Sequence, residues 1–230
     1  MASIAVPHTY NNWEMKPALI FDLDGTLWDA TVPIFEAWKI VGEKFFGPSY
    51  SLSVESVKNM MGKTMKEIGE MLTPTGADPL VADRFVKECF ACETSYLANH
   101  PGRLFEGEVT TLRILASQFD LYIVSNCQAG YIECFLPLVD DGLFLGHMCW
   151  DDTRAEKQVT IRRLMERYGC SSAIYIGDTE KDEFASREAG ICFIHAAYGF
   201  GSAKQPDGVA SSFVALPDVV QTVVQLLERK

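Results

Sequence analysis

The chain has 230 residues, 48% apolar and 22% charged. This is the balance of a globular protein of one or two domains with a sizeable core, and it excludes a largely disordered chain. The longest apolar runs fall far short of the ~20 residues that span a bilayer, which excludes an integral membrane protein. Lys and Arg number 20 against 31 Asp and Glu, giving a net charge of −11 and a pI near 4.8. Such a field repels phosphate backbones and anionic lipid, so no nucleic acid and no membrane is expected as a partner. A metal ion or a local cation can still reverse the field in one cleft and admit an anionic substrate.

Residues 1–16 carry Glu14 and Lys16 late and contain no apolar core of seven residues, so no secretory signal is expected there. The seven cysteines are odd in number and scattered, which reads as reduced thiols and a cytoplasmic location. Cys89-x-x-Cys92 is the one close pair. It lies in a helical stretch without a second Cys or His pair, so it is read as coincidence rather than a metal or redox site.

The first element is a buried strand, Ala18-Leu19-Ile20-Phe21, which meets a polar turn at Asp22-x-Asp24-Gly25-Thr26. From Thr31 to about Asn99 no strand is convincing, while apolar residues recur at helical spacing: Ile34, Ala37, Trp38, Val41 and Phe45, then Val81, Phe85, Cys89, Cys92 and Tyr96. This predicts a helical insert, which His100-Pro101-Gly102 closes. Three further apolar runs end in polar residues, as the first does: 121–124 at Ser125-Asn126, 173–176 at Gly177-Asp178, and 191–194 at His195. Helical patterns fall at 106–117, 128–136, 155–168, 180–189 and near 217–228. Strands alternating with helices predict an α/β, Rossmann-like core with a parallel sheet covered on both faces. The expected organisation is a core of residues 1–30 and 101–230 that carries the active site, interrupted by a helical domain of residues 31–100.

In such sheets ligands bind beyond the carboxyl ends of the strands, where these polar residues fall. Asp22 and Asp24 are two apart and project to one side of an extended chain, and Gly25 permits a tight turn. Carboxylates crowded in this way need a cation or a shared proton, which suits a nucleophile, a metal ligand and a general acid in one loop. The plainer reading is a carboxylate that caps the following helix. Asp178 and Asp182 face the same way if a helix begins near Thr179, and helix capping by Asp178 is compatible with metal binding. Ser125 and Asn126 offer donors to a phosphoryl oxygen, although both are also ordinary helix caps. Lys157 stands at the unfavourable end of its predicted helix for a cation, which points to an anionic partner, a carboxylate cluster or a bound phosphate, with a merely solvated lysine as the plainer reading. Neighbouring Arg154 is a rival for that role.

In this order, Asp22-Leu23-Asp24-Gly25-Thr26, Ser125-Asn126, Lys157 and Gly177-Asp178-x-x-x-Asp182 resemble the four motifs of the haloacid dehalogenase superfamily of phosphatases, over about Lys16 to Phe200. The resemblance implies that the insert is that family's small helical cap. Asp22 would be the nucleophile that forms an aspartyl-phosphate, and Asp24 the general acid and then the base. Magnesium would be held by Asp22, the Asp24 backbone carbonyl and Asp178, with Asp182 bracing them. Thr26, Ser125, Asn126 and Lys157 would grip the phosphoryl oxygens. The implied activity is magnesium-dependent hydrolysis of a small phosphorylated metabolite, closest to phosphoglycolate phosphatases.

Three alternatives carry specific objections. A dehalogenase would not need Asp24. A phosphosugar mutase of the beta-phosphoglucomutase type would resemble Asp-Gly-Val and Glu-Asp where this chain has Gly25-Thr26 and Gly177-Asp178. An inactive binding protein should have lost some of these groups. Lys63, in the Met61-Gly62-Lys63-Thr64 turn, is the expected insert residue for substrate contact, with an ordinary solvated turn lysine as the plainer reading, and bulky Trp28 is expected to narrow the entrance.

Overall fold

The computed structural model describes residues 17–228. The segment expected to carry no secretory signal, with the start of the expected core, lies outside them. Strand β1 (Ala18–Phe21) is central in a six-stranded sheet, joined by β4 (Leu121–Val124), β5 (Phe144–Met148), β6 (Ala173–Gly177), β7 (Cys192–Ala196) and β8 (Gly208–Ala210) in the order β5-β4-β1-β6-β7-β8. Every pairing is parallel, with Phe21 beside Ile123 on one flank and Ile176 on the other.

Alternation along the strands feeds two cores. Leu19, Phe21, Ile123 and Ile176 face one side. There α5 (Glu108–Ala116) and α10 (Leu216–Leu227) contribute Leu112, Leu115, Val220 and Val223. Ile20, Tyr122, Val124 and Tyr175 face the other, against Ile161 and Leu164 of α8 (Lys157–Tyr168) and Ala185 of α9 (Glu180–Ala189). This is the expected α/β, Rossmann-like fold. The chain builds β4 and β5 outward from β1 and then crosses to β6, so the carboxyl ends of the three central strands meet where the strand order reverses.

The two edge strands β5 and β8 were not expected. Leu145 is exposed and Gly146 and His147 interrupt the apolar run in β5, while β8 has only three residues. The helix expected over 128–136 is shorter. Gly130 stands at φ 87°, α6 spans Ile132–Phe135, and Pro137 tightens the next turn to a 3-10 helix at Leu136–Leu138. A last short helix, α7 (Trp150–Thr153), precedes α8.

After β1 the chain turns into β2 (Trp28–Asp29), which pairs antiparallel with β3 (Arg103–Leu104). Among the described residues, four helices lie between these two strands: α1 (Thr31–Phe46), α2 (Val54–Lys58), α3 (Met65–Leu72) and α4 (Pro79–Leu97). The ribbon therefore carries both crossings between insert and sheet. Helix α1 buries Ile34, Ala37, Trp38 and Val41, the expected stripe. Helix α4 starts at Asp78, whose Oδ1 accepts from the N–H of Leu80 and Val81, with Pro79 in the first turn. Its buried stripe runs through Phe85, Cys89, Glu93 and Leu97. The expected stripe through Val81, Cys92 and Tyr96 lies off this line: Val81 is exposed, Cys92 and Tyr96 half-buried. Phe85 joins Phe45, Phe46 and Tyr50 in an aromatic cluster. Truncating Phe85 to Ala should cost about 3–5 kcal/mol.

Candidate active site

Asp22 leaves β1 at its carboxyl end, its N–H bonded to the Ile176 carbonyl of β6 at 2.8 Å. Lys157 reaches it from the first turn of α8: Nζ donates to Asp22 Oδ1 at 2.9 Å and to Asp182 Oδ1 at 2.6 Å, with all three residues buried. These carboxylates are the anionic partners that the helix-start position of Lys157 demanded. Burial pulls its ammonium pKa down, but Asp182 and Asp22 outweigh burial and hold it well above the ordinary lysine value. Arg154 is exposed and closes α7 in a left-handed conformation.

Asp178 follows β6 directly. Its Oδ2 accepts from the N–H of Phe200 at 2.7 Å and of Gly201 at 3.3 Å, while Oδ1 is buried without a partner. Thr179, rather than Asp178, caps α9. Its hydroxyl accepts from the Asp182 N–H, and Asp182 Oδ2 returns the bond to the Thr179 N–H in a capping box. Capping thereby orients Asp182 so that Oδ1 faces Lys157. Gly25, at φ 79°, brings the β1 turn against Asp178 so closely that a Cβ there would lie 2.4 Å from Asp178 Oδ2.

One carboxylate oxygen from each of Asp22, Asp178 and Asp182 lies within 4.8 Å of the others. Burial, then repulsion from Asp182, raises the pKa of both Asp22 and Asp178 above the usual carboxylate range. Three buried carboxylates against one lysine leave an excess of negative charge, and one of them, Asp178, carries a buried oxygen without a partner. That donor set fits a divalent cation such as magnesium.

Asp24 sits two residues past Asp22, half-buried. Its Oδ1 accepts two bonds, from Tyr131 Oη at 2.7 Å and from Trp28 Nε1 at 2.9 Å. Burial raises its pKa to about 6, against the pull of these two donors. Trp28 does not narrow an entrance. It is fully buried, stacked edge-on against Tyr131 and Phe135, and its polar edge is turned to Asp24.

Between the sheet ends and the insert lies a cavity of about 40 Å³. The sheet side contributes Asp22, Asp24, Ser125, Asn126 and Lys157, and the insert contributes Lys63, Trp38 and Glu93. Asn126 Nδ2 spans the two sides to the Gly62 carbonyl at 3.5 Å. Lys63 thus stands beside the groups it was expected to join. Thr26 does not line this cavity; it is fully buried, and its Oγ1 lacks a partner. Sequence reasoning missed Tyr131, Glu93 and the hydrogen bond from Trp28, because none stands in a motif or on a polar loop adjoining a strand end.

A carboxylate cluster and a lysine at the carboxyl ends of a parallel sheet, facing a helical insert, define the class of hydrolase to which comparison with known proteins then assigns the chain. The family model for haloacid dehalogenase-like hydrolases matches residues 19–196, and the chain belongs to that family. A phosphoglycolate phosphatase of Vibrio parahaemolyticus is 24% identical over 221 residues, covering 88% of this chain and 95% of the relative. The fold matches the crystal structure of a predicted phosphoglycolate phosphatase from Haemophilus somnus, with TM-score 0.79, 18% identity and coverage of 91% and 100% of the two chains. It also matches a haloacid dehalogenase-like family protein of Streptococcus pneumoniae, with TM-score 0.76, 23% identity and coverage of 88% and 97%.

Proposed function

We propose that the chain is a magnesium-dependent phosphatase that hydrolyses a small phosphate monoester through an aspartyl-phosphate on Asp22. The observation that carries this reading is Lys157 held between Asp22 and Asp182 beside the orphaned Oδ1 of Asp178, at the edge of a cavity that also contains Asp24. Asp22, the Asp24 backbone carbonyl and Asp178 would hold magnesium, with Asp182 bracing them; the ion would neutralise charge on the transferring phosphoryl group.

In the first half-reaction a carboxylate oxygen of Asp22 attacks phosphorus and the ester P–O bond breaks. Asp24 gives its proton to the departing alcohol oxygen, which a pKa of about 6 makes accessible near neutrality. In the second, Asp24 takes a proton from water as the water oxygen attacks the aspartyl-phosphate. Inorganic phosphate leaves and Asp22 is regenerated. Lys157, Ser125 and Asn126 bind phosphoryl oxygens from the cavity wall; the Thr26 hydroxyl, buried away from that wall, does not join them. Helices α1 to α4, within the expected cap domain of residues 31–100, act as the cap that excludes water from these steps.

Small acids of the phosphoglycolate type are the starting substrate class, supported by the activity of the Vibrio relative and by Lys63, a cation that can meet a carboxylate. The metabolite is met in the cytoplasm, the setting that suits an odd number of scattered cysteines read as reduced thiols. The deciding experiment is phosphate release from 4-nitrophenyl phosphate with magnesium, by the wild type and by Asp22→Asn. The amide cannot attack phosphorus, so release should fall at least a thousandfold with the fold intact; residual turnover within tenfold of wild type would sink the assignment.

A further inference from the structure

The buried stripe of α4 repeats once per helical turn through Phe85, Cys89, Glu93 and Leu97. Three of these are apolar; the fourth is a carboxyl group, 4% exposed, at a position where Leu or Met would pack without desolvating a charge. A local rule broken in this way marks a functional position more often than a structural one. Glu93 Oε2 accepts from Trp38 Nε1 of α1 at 2.9 Å, while Gln128, on the loop that follows β4, donates to Thr94 Oγ1 one residue further along α4 at 3.1 Å. The indole fixes the carboxyl in place, and no cation pairs with it among the described residues. Burial pushes its pKa up to about 8.

Glu93 lines the same cavity as Asp24, the group that faces the departing alcohol. The wall around it is apolar, formed by Ile34, Met61, Met65, Ile68 and Phe90. Among the described residues, Lys63 is the only other ionisable side chain that the insert contributes to the cavity lining. The insert therefore offers the non-phosphate end of a substrate one cation and one carboxyl group, which can take a hydrogen bond from a hydroxyl or an ammonium. A bare glycolate has a carboxylate for the first but brings no hydroxyl or ammonium to the second.

We propose that Glu93 reads the leaving group: the substrate is a phosphate monoester whose alcohol carries a hydrogen-bond donor, a hydroxyl or an ammonium, that reaches the Glu93 carboxyl. The proposal rests on the phosphatase reading and narrows its substrate class.

Three esters separate donor from size. Phosphoglycolate, 2-phospholactate and 2-phosphoglycerate share phosphate and carboxylate; the second adds a methyl group and the third a hydroxymethyl group. Wild-type kcat/KM, measured with magnesium, should be at least tenfold higher for 2-phosphoglycerate than for either of the others, and O-phosphoserine should share the advantage if an ammonium is also accepted. In Glu93→Met the ratio of 2-phosphoglycerate to 2-phospholactate should fall toward one, mainly through KM, whereas a merely structural role would lower both esters together. A wild-type ratio near or below one overturns the proposal without recourse to any variant, and so does a ratio that Glu93→Met leaves unmoved. Release from 4-nitrophenyl phosphate with no preference among the three esters overturns this proposal alone. No magnesium-dependent release from any ester overturns the phosphatase reading together with it.

Discussion

Tyr131 donates its hydroxyl proton to Asp24 Oδ1 at 2.7 Å, on the same oxygen that accepts from Trp28 Nε1 at 2.9 Å. Two donors on one oxygen leave the acid proton of Asp24 to Oδ2, so the side chain is held with one oxygen anchored and one free to work. Both donors favour the ionised form, and burial overrides them to give a pKa of about 6.

Tyr131→Phe removes one of these donors. The Asp24 pKa should rise, so the falling limb of kcat/KM against pH on an alkyl phosphate should move to higher pH. The anchor on Oδ1 is also weakened, and kcat on that substrate should fall by about tenfold, the ~1.4 kcal/mol of one charged hydrogen bond. An aryl phosphate, whose leaving group needs little protonation, should lose less. Equal losses on the two substrates with an unmoved pH limb would show that Tyr131 only packs against Trp28.

The same loop shows what the sequence reveals and what it hides. Asp22, Asp178 and Lys157 are legible because parallel sheets present ligands at strand ends, and each follows a buried strand or opens a helix. Tyr131 lies five residues beyond Asn126, past a glycine that cuts short the expected helix, and nothing in its neighbours announces a polar contact. Trp28 reads as bulk because the sequence does not show which edge of an indole faces a carboxylate. Glu93 was hidden by a one-residue rotation of the stripe on α4: a pattern drawn through Cys92 leaves Glu93 on a polar face, whereas the helix buries it.

Asp22, Asp178 and Asp182 repel one another with carboxylate oxygens within 4.8 Å, and among the described residues the one cation in an ion pair with them is Lys157, bonded to Asp22 and Asp182. A divalent cation that binds the folded protein should relieve this repulsion, so Tm should rise by several degrees in millimolar magnesium, and chelator should lower it again while silencing phosphate release. Asp178→Asn should abolish most of the magnesium-dependent shift. Calcium should raise Tm yet support turnover poorly, because its larger and looser coordination misplaces the in-line geometry. Full activity in excess chelator would be fatal to the mechanism.

Lys63 is tested by selectivity. If it meets a carboxylate, Lys63→Ala should lower kcat/KM on phosphoglycolate by about 1.5–3 kcal/mol more than on 4-nitrophenyl phosphate, the range of a charged hydrogen bond. The two substrates measured in the two proteins give the difference directly. Equal losses on both would make Lys63 an ordinary lysine of the turn.

Glu108, remote from the chemistry, carries a stability cost of its own. It opens α5 with Oε2 accepting from the Phe105 N–H at 2.9 Å, while Oε1 is buried without a partner. Burial raises its pKa to about 8, against the pull of that one backbone bond. A carboxyl whose folded pKa exceeds its unfolded value, about 4.3 for a free glutamate, binds its proton more tightly when folded. Its contribution is therefore full below the unfolded value and is lost as pH rises through about 8. Glu108→Gln keeps an oxygen for Phe105 and never ionises. The stability difference between variant and wild type should thus grow in favour of Gln between pH 5 and pH 8.5 by up to about 4 kcal/mol, read as a Tm difference of several degrees or more for a chain of this size. Other carboxylates, the site's included, titrate alike in both proteins and cancel in the difference. A Tm difference that stays constant across this range would mean that Glu108 ionises freely in the folded state.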